Sequence, residues 1–211
     1  APSISRDGRY VAFASSADNL VANDSNEKID VFVRDRVAGI TRLVSRNANG
    51  GLGNDDSVEA AIAADGAFVA FASKAENLVP GDDNGKSDVF VVDRTSGAIE
   101  RVSVGPAGQQ VDKESWLPVL SADGRYVVFA SLSDDLVAGD GNGKEDVFRR
   151  DRFTGVTVRV SRGLGGNDPN EFSSEPALAS DAPAVAFTSK ADNLVPSDEN
   201  DQPDVFIAPR D

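Results

Sequence analysis

Residues 10–15 read Tyr-Val-Ala-Phe-Ala-Ser, residues 68–73 Phe-Val-Ala-Phe-Ala-Ser, residues 126–131 Tyr-Val-Val-Phe-Ala-Ser and residues 184–189 Ala-Val-Ala-Phe-Thr-Ser. Large and small apolar side chains alternate here with the two-residue period of a strand. Val11, Phe13 and Ser15 therefore face one way, and Tyr10, Ala12 and Ala14 the other. Both faces are apolar, whereas a sheet with one solvated face keeps one side polar. A sheet stacked between two similar sheets meets that condition. The segment Asp-Val-Phe begins at Asp30, Asp88, Asp146 and Asp204, each copy 58 residues after the last. A constant period of this length marks one supersecondary unit repeated in space, each copy covering the next.

Within one period the pattern predicts four short strands. The first spans residues 2–5, 60–63, 118–121 and 176–179 in the successive copies. Turns at Asp7-Gly8, Asp65-Gly66 and Asp123-Gly124 follow, the strongest short hairpin signal, with Asp181-Ala182-Pro183 in their place in the fourth copy. The alternating strand comes next, then a polar loop, then the strand opened by Asp-Val-Phe. A Gly-containing turn near Gly39, Gly97 or Gly155 leads to a strand ending Val44-Ser45, Val102-Ser103 or Val160-Ser161. Gly or Pro punctuates the chain too often for a long helix. Four-stranded units repeated radially make a β-propeller. The expected fold is all-β, a propeller of four ~58-residue blades over 1–58, 59–116, 117–174 and 175–211, each of four antiparallel strands except the fourth, which lacks its outer strand. A small closed ring is preferred to an open arc. Pro209, on the exposed edge of the last strand, discourages edge pairing and is read as marking a genuine C-terminus.

The run Pro-Ser-Ile-Ser-Arg-Asp-Gly-Arg-Tyr-Val-Ala-Phe-Ala-Ser (2–15) resembles the WD40-like, TolB-type (PD40-type) propeller repeat, as do residues 120–131 and the following Asp-Val-Phe-x-x-Asp-Arg. The resemblance covers essentially the whole chain. It implies the propeller fold, and a role among those of the family: protein-docking module, binding domain or appendage of a hydrolase. TolB itself has six blades, and four copies are visible here.

Composition narrows the chemistry. The 211 residues carry a net charge of −14, from 35 acids against 21 bases, which disfavours binding to a phosphate backbone. With no His and no Cys, neither a Ser-His-Asp triad nor a Cys-His pair can form, and disulfides and thiolate metal sites are excluded. No apolar run reaches the ~20 residues that span a bilayer. A chain without Met has lost its start, and removal of a secretory signal or trimming both account for that. A secreted or periplasmic location is the expectation. The catalysis left open is a carboxylate pair, as in glycoside hydrolysis.

Four loops share the form Asp-x-Asn-x-x-x-Asp: Asp24, Asn26, Asp30; Asp82, Asn84, Asp88; Asp140, Asn142, Asp146; and Asp198, Asn200, Asp204. Hard cations take six to eight oxygen ligands. Side chains one, three and seven can converge, with the carbonyl of Lys28, Lys86, Lys144 or Gln202 as a fourth ligand, and two carboxylates favour a structural calcium ion. Asx-turns are the alternative use of the same residues. Asp18-Asn19-Leu20 and its counterparts at 76–78, 134–136 and 192–194 are expected to cap turns, and the Arg-Asp-Arg triplets to pair charge between strands. In an up-and-down blade these long loops and the blade-to-blade loops lie on one rim, where function is expected. Trp116 breaks the repeat at the end of one blade-to-blade loop, as a candidate ligand anchor or as packing on a neighbouring blade. The function expected is a non-catalytic, calcium-stabilised propeller that binds a protein or a carbohydrate, neither nucleic acid nor membrane. The alternatives are a carboxylate-based glycoside hydrolase or lyase, and an accessory propeller of a larger enzyme.

Overall fold

The computed structural model describes residues 1–179 and 184–209 as fifteen strands in four antiparallel sheets, each a meander in chain order. The first sheet holds β1 (Ser3–Ile4), β2 (Tyr10–Ser15), β3 (Asp30–Asp35) and β4 (Ile40–Leu43). The second holds β5 (Ser57–Ile62), β6 (Phe68–Ser73), β7 (Asp88–Asp93) and β8 (Ile99–Arg101). The third holds β9 (Ser115–Leu120), β10 (Tyr126–Ser131), β11 (Asp146–Asp151) and β12 (Val156–Arg159). The fourth, of β13 (Ser173–Leu178), β14 (Ala184–Ser189) and β15 (Asp204–Pro209), has three strands, as the repeat predicts. The turn at 181–183 lies outside the described residues.

Register places a Phe opposite a Phe in every sheet. The pairs Phe13–Phe32, Phe71–Phe90, Phe129–Phe148 and Phe187–Phe206 stack with ring centroids 5.8, 5.9, 6.1 and 5.8 Å apart. The last three stacks each press on the face of the preceding sheet that carries alanine and valine. Val69, Phe71 and Phe90 pack on Ala12, Val31 and Val33. Val127, Phe129 and Phe148 pack on Ala70, Val89 and Val91. Val185, Phe187 and Phe206 pack on Val128 and Val147. Each buried Phe contributes roughly 1.5–3 kcal/mol, so the joints between sheets, more than the ladders within them, hold the fold together.

Two turns show how closely the sheets approach. Gly66 and Gly124 have φ of +75° and +68°, and a Cβ at either would come within 2.3 Å of the Tyr10 or Phe68 ring of the preceding sheet. Only glycine fits both the left-handed backbone and that approach.

The structure departs from the expected closed ring. Packing runs from sheet one to four, and the outward face of the last sheet stays uncovered. Val205 and Ile207 are 74% and 75% exposed, whereas Val31, Val89 and Val147, at the repeat position of Val205, are fully buried. At the other end Leu20 is 37% exposed where Leu136 is fully buried. The four blades form an arc with two free apolar ends.

The inner strands also differ from expectation. They begin at Ser57, Ser115 and Ser173, ahead of the expected 60, 118 and 176, so the repeat boundaries set after 58, 116 and 174 fall inside strands. Each of these serines donates its N–H to a carbonyl of the previous sheet (Ile29, Ser87, Glu145), each at 2.7 Å. A β-bulge then interrupts each strand, with Glu59, Leu117 and Glu175 in the left-handed region at φ 56°, 52° and 51°.

Candidate binding site

The Asp-x-Asn-x-x-x-Asp loops fold alike. In each, the Asn side-chain oxygen accepts the N–H two residues on, from Lys28, Lys86, Lys144 or Gln202, at 3.2, 2.9, 2.8 and 2.8 Å. Its amide donates to the closing aspartate: Asn26 to Asp30, Asn84 to Asp88, Asn142 to Asp146 and Asn200 to Asp204, at 2.8, 3.2, 2.9 and 3.0 Å. This is the Asx-turn geometry. In the first three loops the same amide also reaches the next blade-to-blade loop, at the carbonyl of Gly53, Val111 or Pro169.

The paired carboxylates differ between blades in what stands between them. Arg101 Nη1 lies 3.0 Å from Asp82 and 3.3 Å from Asp88. Arg159 Nη1 lies 2.8 Å from Asp140 and 3.7 Å from Asp146, while its Nη2 meets Asp168 at 2.5 Å. The first blade has Leu43 at that repeat position, so Asp24 and Asp30 have no such guanidinium. Among the described residues no arginine pairs with Asp198 or Asp204, and the sheet they belong to has three strands. Burial, reinforced by the Asp88 carboxylate and opposed by Arg101, raises the Asp82 pKa to about 6. Burial likewise raises Asp146 to about 6. Asp24 is raised by burial and by Asp30. Among the described residues, no three acidic side chains converge in a metal-holding group.

In two copies the second recurrent cluster clamps a neighbouring loop. The Asn77 amide donates to the Leu52 carbonyl at 2.8 Å, and its oxygen accepts the Asn54 N–H at 3.0 Å. Asn193 repeats this with Asp168 and Asn170. These side chains tie the first and third blade-to-blade loops to the blade that follows. The Arg-Asp-Arg triplets pair charge as expected, Arg9 meeting Asp35 at 2.8 Å and Arg125 meeting Asp151 at 2.6 Å, on the rim opposite the long loops.

Trp116 is not a loop residue. It is the second residue of β9, half-buried and paired with Ala130, and its indole N–H donates to Glu145. Glu145 also accepts the Ser174 hydroxyl, so Trp116 and Ser174 meet on one carboxylate at the joint between the third and fourth sheets.

A site not read from the sequence lies on the axis. The bulged starts of three inner strands, with Ala1, line an open depression of about 420 Å³ formed by Ala1, Glu59, Ala60, Leu117, Pro118, Val119, Glu175 and Pro176. Three sheets and the Ala1 end of the chain contribute to it. Glu59 accepts the Leu117 N–H at 2.6 Å, and Glu175 accepts the Thr188 hydroxyl at 3.1 Å. Left-handed non-glycine residues are costly and cluster at functional sites, and here three occupy one repeat position around one cavity. The spacing of 58 between Glu59, Leu117 and Glu175 is in the sequence, but the bulge that turns them to the axis is not.

No family model and no curated protein sequence matches the chain. Solved structures do. TolB from Acinetobacter baumannii superposes with a TM-score of 0.56 at 17% identity, over 99% of this chain and 40% of that one. A protein of Agrobacterium tumefaciens described as TolB gives 0.59 at 19% identity, over 97% and 58%. The fold is that of a TolB-like β-propeller. The propeller domain of the Trilobed protease of Pyrococcus furiosus gives 0.55 at 14% identity, over 98% and 52%. This propeller therefore spans about half the length of the solved chains it matches. At these identities the likeness concerns the fold alone.

Proposed function

We propose that this chain is a non-catalytic binding propeller that recognises a protein or glycan through its long-loop rim and the cavity at its axis. The observation that carries the reading is the open 420 Å³ depression lined by Ala1 and by the inner strands of the last three sheets, around which Glu59, Leu117 and Glu175 hold left-handed backbone. Its lining mixes apolar walls with two carboxylates, the make-up of a recognition pocket. Both carboxylates are engaged in hydrogen bonds that hold the bulges. A glycan array and a pull-down test the reading. Ligand capture that is lost on Leu117→Asp, with the melting temperature unchanged, supports it, and capture unaffected by that change argues against it.

The calcium expectation is proposed for the first and fourth loops, at Asp24, Asn26, Asp30 and Asp198, Asn200, Asp204, where, among the described residues, no arginine bridges the two carboxylates, Arg46 acting on Asp24 only at longer range. In the second and third loops Arg101 and Arg159 already supply the positive charge. A secreted or periplasmic location is proposed on the same footing. Among the described residues no helix is long and apolar enough to cross a membrane.

A second reading has its own support. Matches of comparable quality include an oligogalacturonate lyase from Vibrio parahaemolyticus, with a TM-score of 0.52. They also include the propeller domain of a protease, which favours an accessory role beside a catalytic domain. Release of unsaturated or reducing ends from a polysaccharide by the isolated chain would select the enzyme instead of the binder.

A further inference from the structure

Arg94 and Arg152 stand 58 residues apart, at one repeat position, and are built into matching joints. Arg94 donates Nη1 to the Gly66 carbonyl and lies over the Tyr10 ring, 4.2 Å from its centroid. Arg152 does the same with the Gly124 carbonyl and the Phe68 ring, at 4.5 Å. The second joint then adds a counter-ion, because Arg152 Nε donates to the Glu100 carboxylate at 2.6 Å. The residue 58 positions before Glu100 is Arg42. The first joint therefore holds a second guanidinium where the second joint holds a carboxylate. Arg94 keeps its carbonyl and its ring, with no counter-ion among the described residues.

Arg42, Arg46 and Arg94 line one groove of about 220 Å³ on the outer wall between the first and second sheets. Leu43, Val44 and Val92, all buried, give it an apolar floor. No acidic residue lines it, and among the described residues none of the three arginines forms an ion pair. β4 runs from the hairpin at Gly39 towards the long-loop rim, so the groove meets Arg94 and Arg42 first and Arg46 last. There Arg46 is anchored by donating Nη1 to the Gly50 carbonyl at 3.0 Å. On a chain of net charge −14, repulsion at long range grows with the charge of an approaching anion, which favours a compact ligand over a polyanion. The apolar floor calls for hydrocarbon between the charged ends.

We propose that this groove binds a small aliphatic dicarboxylate. One carboxylate takes beside Arg94 the place that Glu100 takes beside Arg152, and it is shared with Arg42. The other meets Arg46, and the methylene chain between them lies on Val44 and Val92. Pairs of guanidinium and carboxylate are charge-assisted and directional, so the arginines fix the ligand's ends while the floor sets its length. The site is on the outer wall, apart from the axial depression, and does not depend on that reading.

The test is isothermal titration calorimetry of the whole 211-residue protein with pimelate, in a buffer free of other carboxylates and of phosphate. Saturable binding to a single site is expected. Hexanoate lacks the second carboxylate and inorganic phosphate lacks the hydrocarbon, so each should bind about tenfold or more weakly. Arg42→Glu reproduces the arrangement of the second joint and should abolish binding with the melting temperature unchanged or raised. Arg46→Gln should weaken pimelate about tenfold and leave hexanoate unaffected, and it decides the matter if the first variant does not fold. Leu117→Asp, at the axis, should leave binding as it is. The proposal is overturned by the absence of saturable binding at about 10 mM pimelate. It is equally overturned by phosphate or hexanoate binding as tightly as pimelate, by full binding in Arg42→Glu, or by loss of binding in Leu117→Asp.

Discussion

The hydroxyl of Ser161 donates to a carboxylate oxygen of Asp146 at 2.5 Å, and both residues are wholly buried or nearly so. The same serine accepts the Val147 N–H, so one side chain satisfies a buried carboxylate and a buried amide together. Ser161→Ala leaves both without that partner. The expected cost is about 1–3 kcal/mol, the penalty for stranding buried polar groups. Chemical denaturation should show it as a lower midpoint with an unchanged slope.

Gly124 separates two ways in which glycine is needed. Gly124→Ala meets a left-handed backbone and the Phe68 ring, whereas Gly97→Ala meets a left-handed backbone (φ +77°) with nothing within 4 Å. The Gly97 variant should lose about 1 kcal/mol, from backbone conformation alone. The Gly124 variant should lose about 2–3 kcal/mol, because the third sheet must also move away from the second. Equal losses in thermal melts would mean that the joint is looser than described.

Stability should peak in mildly acidic solution. Asp82 and Asp146 titrate near 6 in the folded protein against an ordinary value of 3.8. Between those values the folded state binds more protons than the unfolded one, so stability falls as pH rises through the window. Asp35 and Asp151, held well below the usual carboxylate range by Arg9 and Arg125, act oppositely. Their contribution is present above about pH 4 and is lost as pH falls. Melting in EDTA should therefore be higher at pH 5 than at pH 8, by about 3–8 °C for a chain of this size. Asp82→Asn should narrow that difference.

Calcium should act where arginine does not. Addition to EDTA-treated protein is expected to raise the melting temperature, by an amount equivalent to ~2.7 kcal/mol at a hundredfold excess over the dissociation constant. Asp24→Asn should remove part of that rise, and Asp140→Asn should not. A melting temperature indifferent to calcium would leave all four loops as Asx-turns alone.

Strand order and the covering of both faces of each sheet were legible in the sequence, because a period of two inside a period of 58 shows which side chains share a face. The three-stranded last sheet was legible for the same reason. The closure of the ring was not. The free faces of Val205 and Leu20 carry the same kinds of residue as the buried joints, and the angle between sheets depends on backbone twist that no residue type reports. The bulges at Glu59, Leu117 and Glu175 were hidden because none is glycine, so a turn residue gave no sign of the left-handed step. The loops were located correctly, but the arginines that enter two of them come from a strand reached only after another hairpin. Their spacing of 58, with Leu43 as the exception, was the available signal.

The account rests on sheets that cover one another in sequence and leave the last face bare, and thiol labelling tests this directly because the chain has no cysteine of its own. Ile207→Cys and Val91→Cys occupy the same repeat position, one 75% exposed and one 1% exposed. Under native conditions the Cys at 207 should react with a thiol reagent at nearly the rate of the unfolded chain, and the Cys at 91 orders of magnitude more slowly. Equal protection at both would contradict the open arc and indicate a ring closed between the fourth and first sheets. Equal reactivity would contradict the stacking of blades itself.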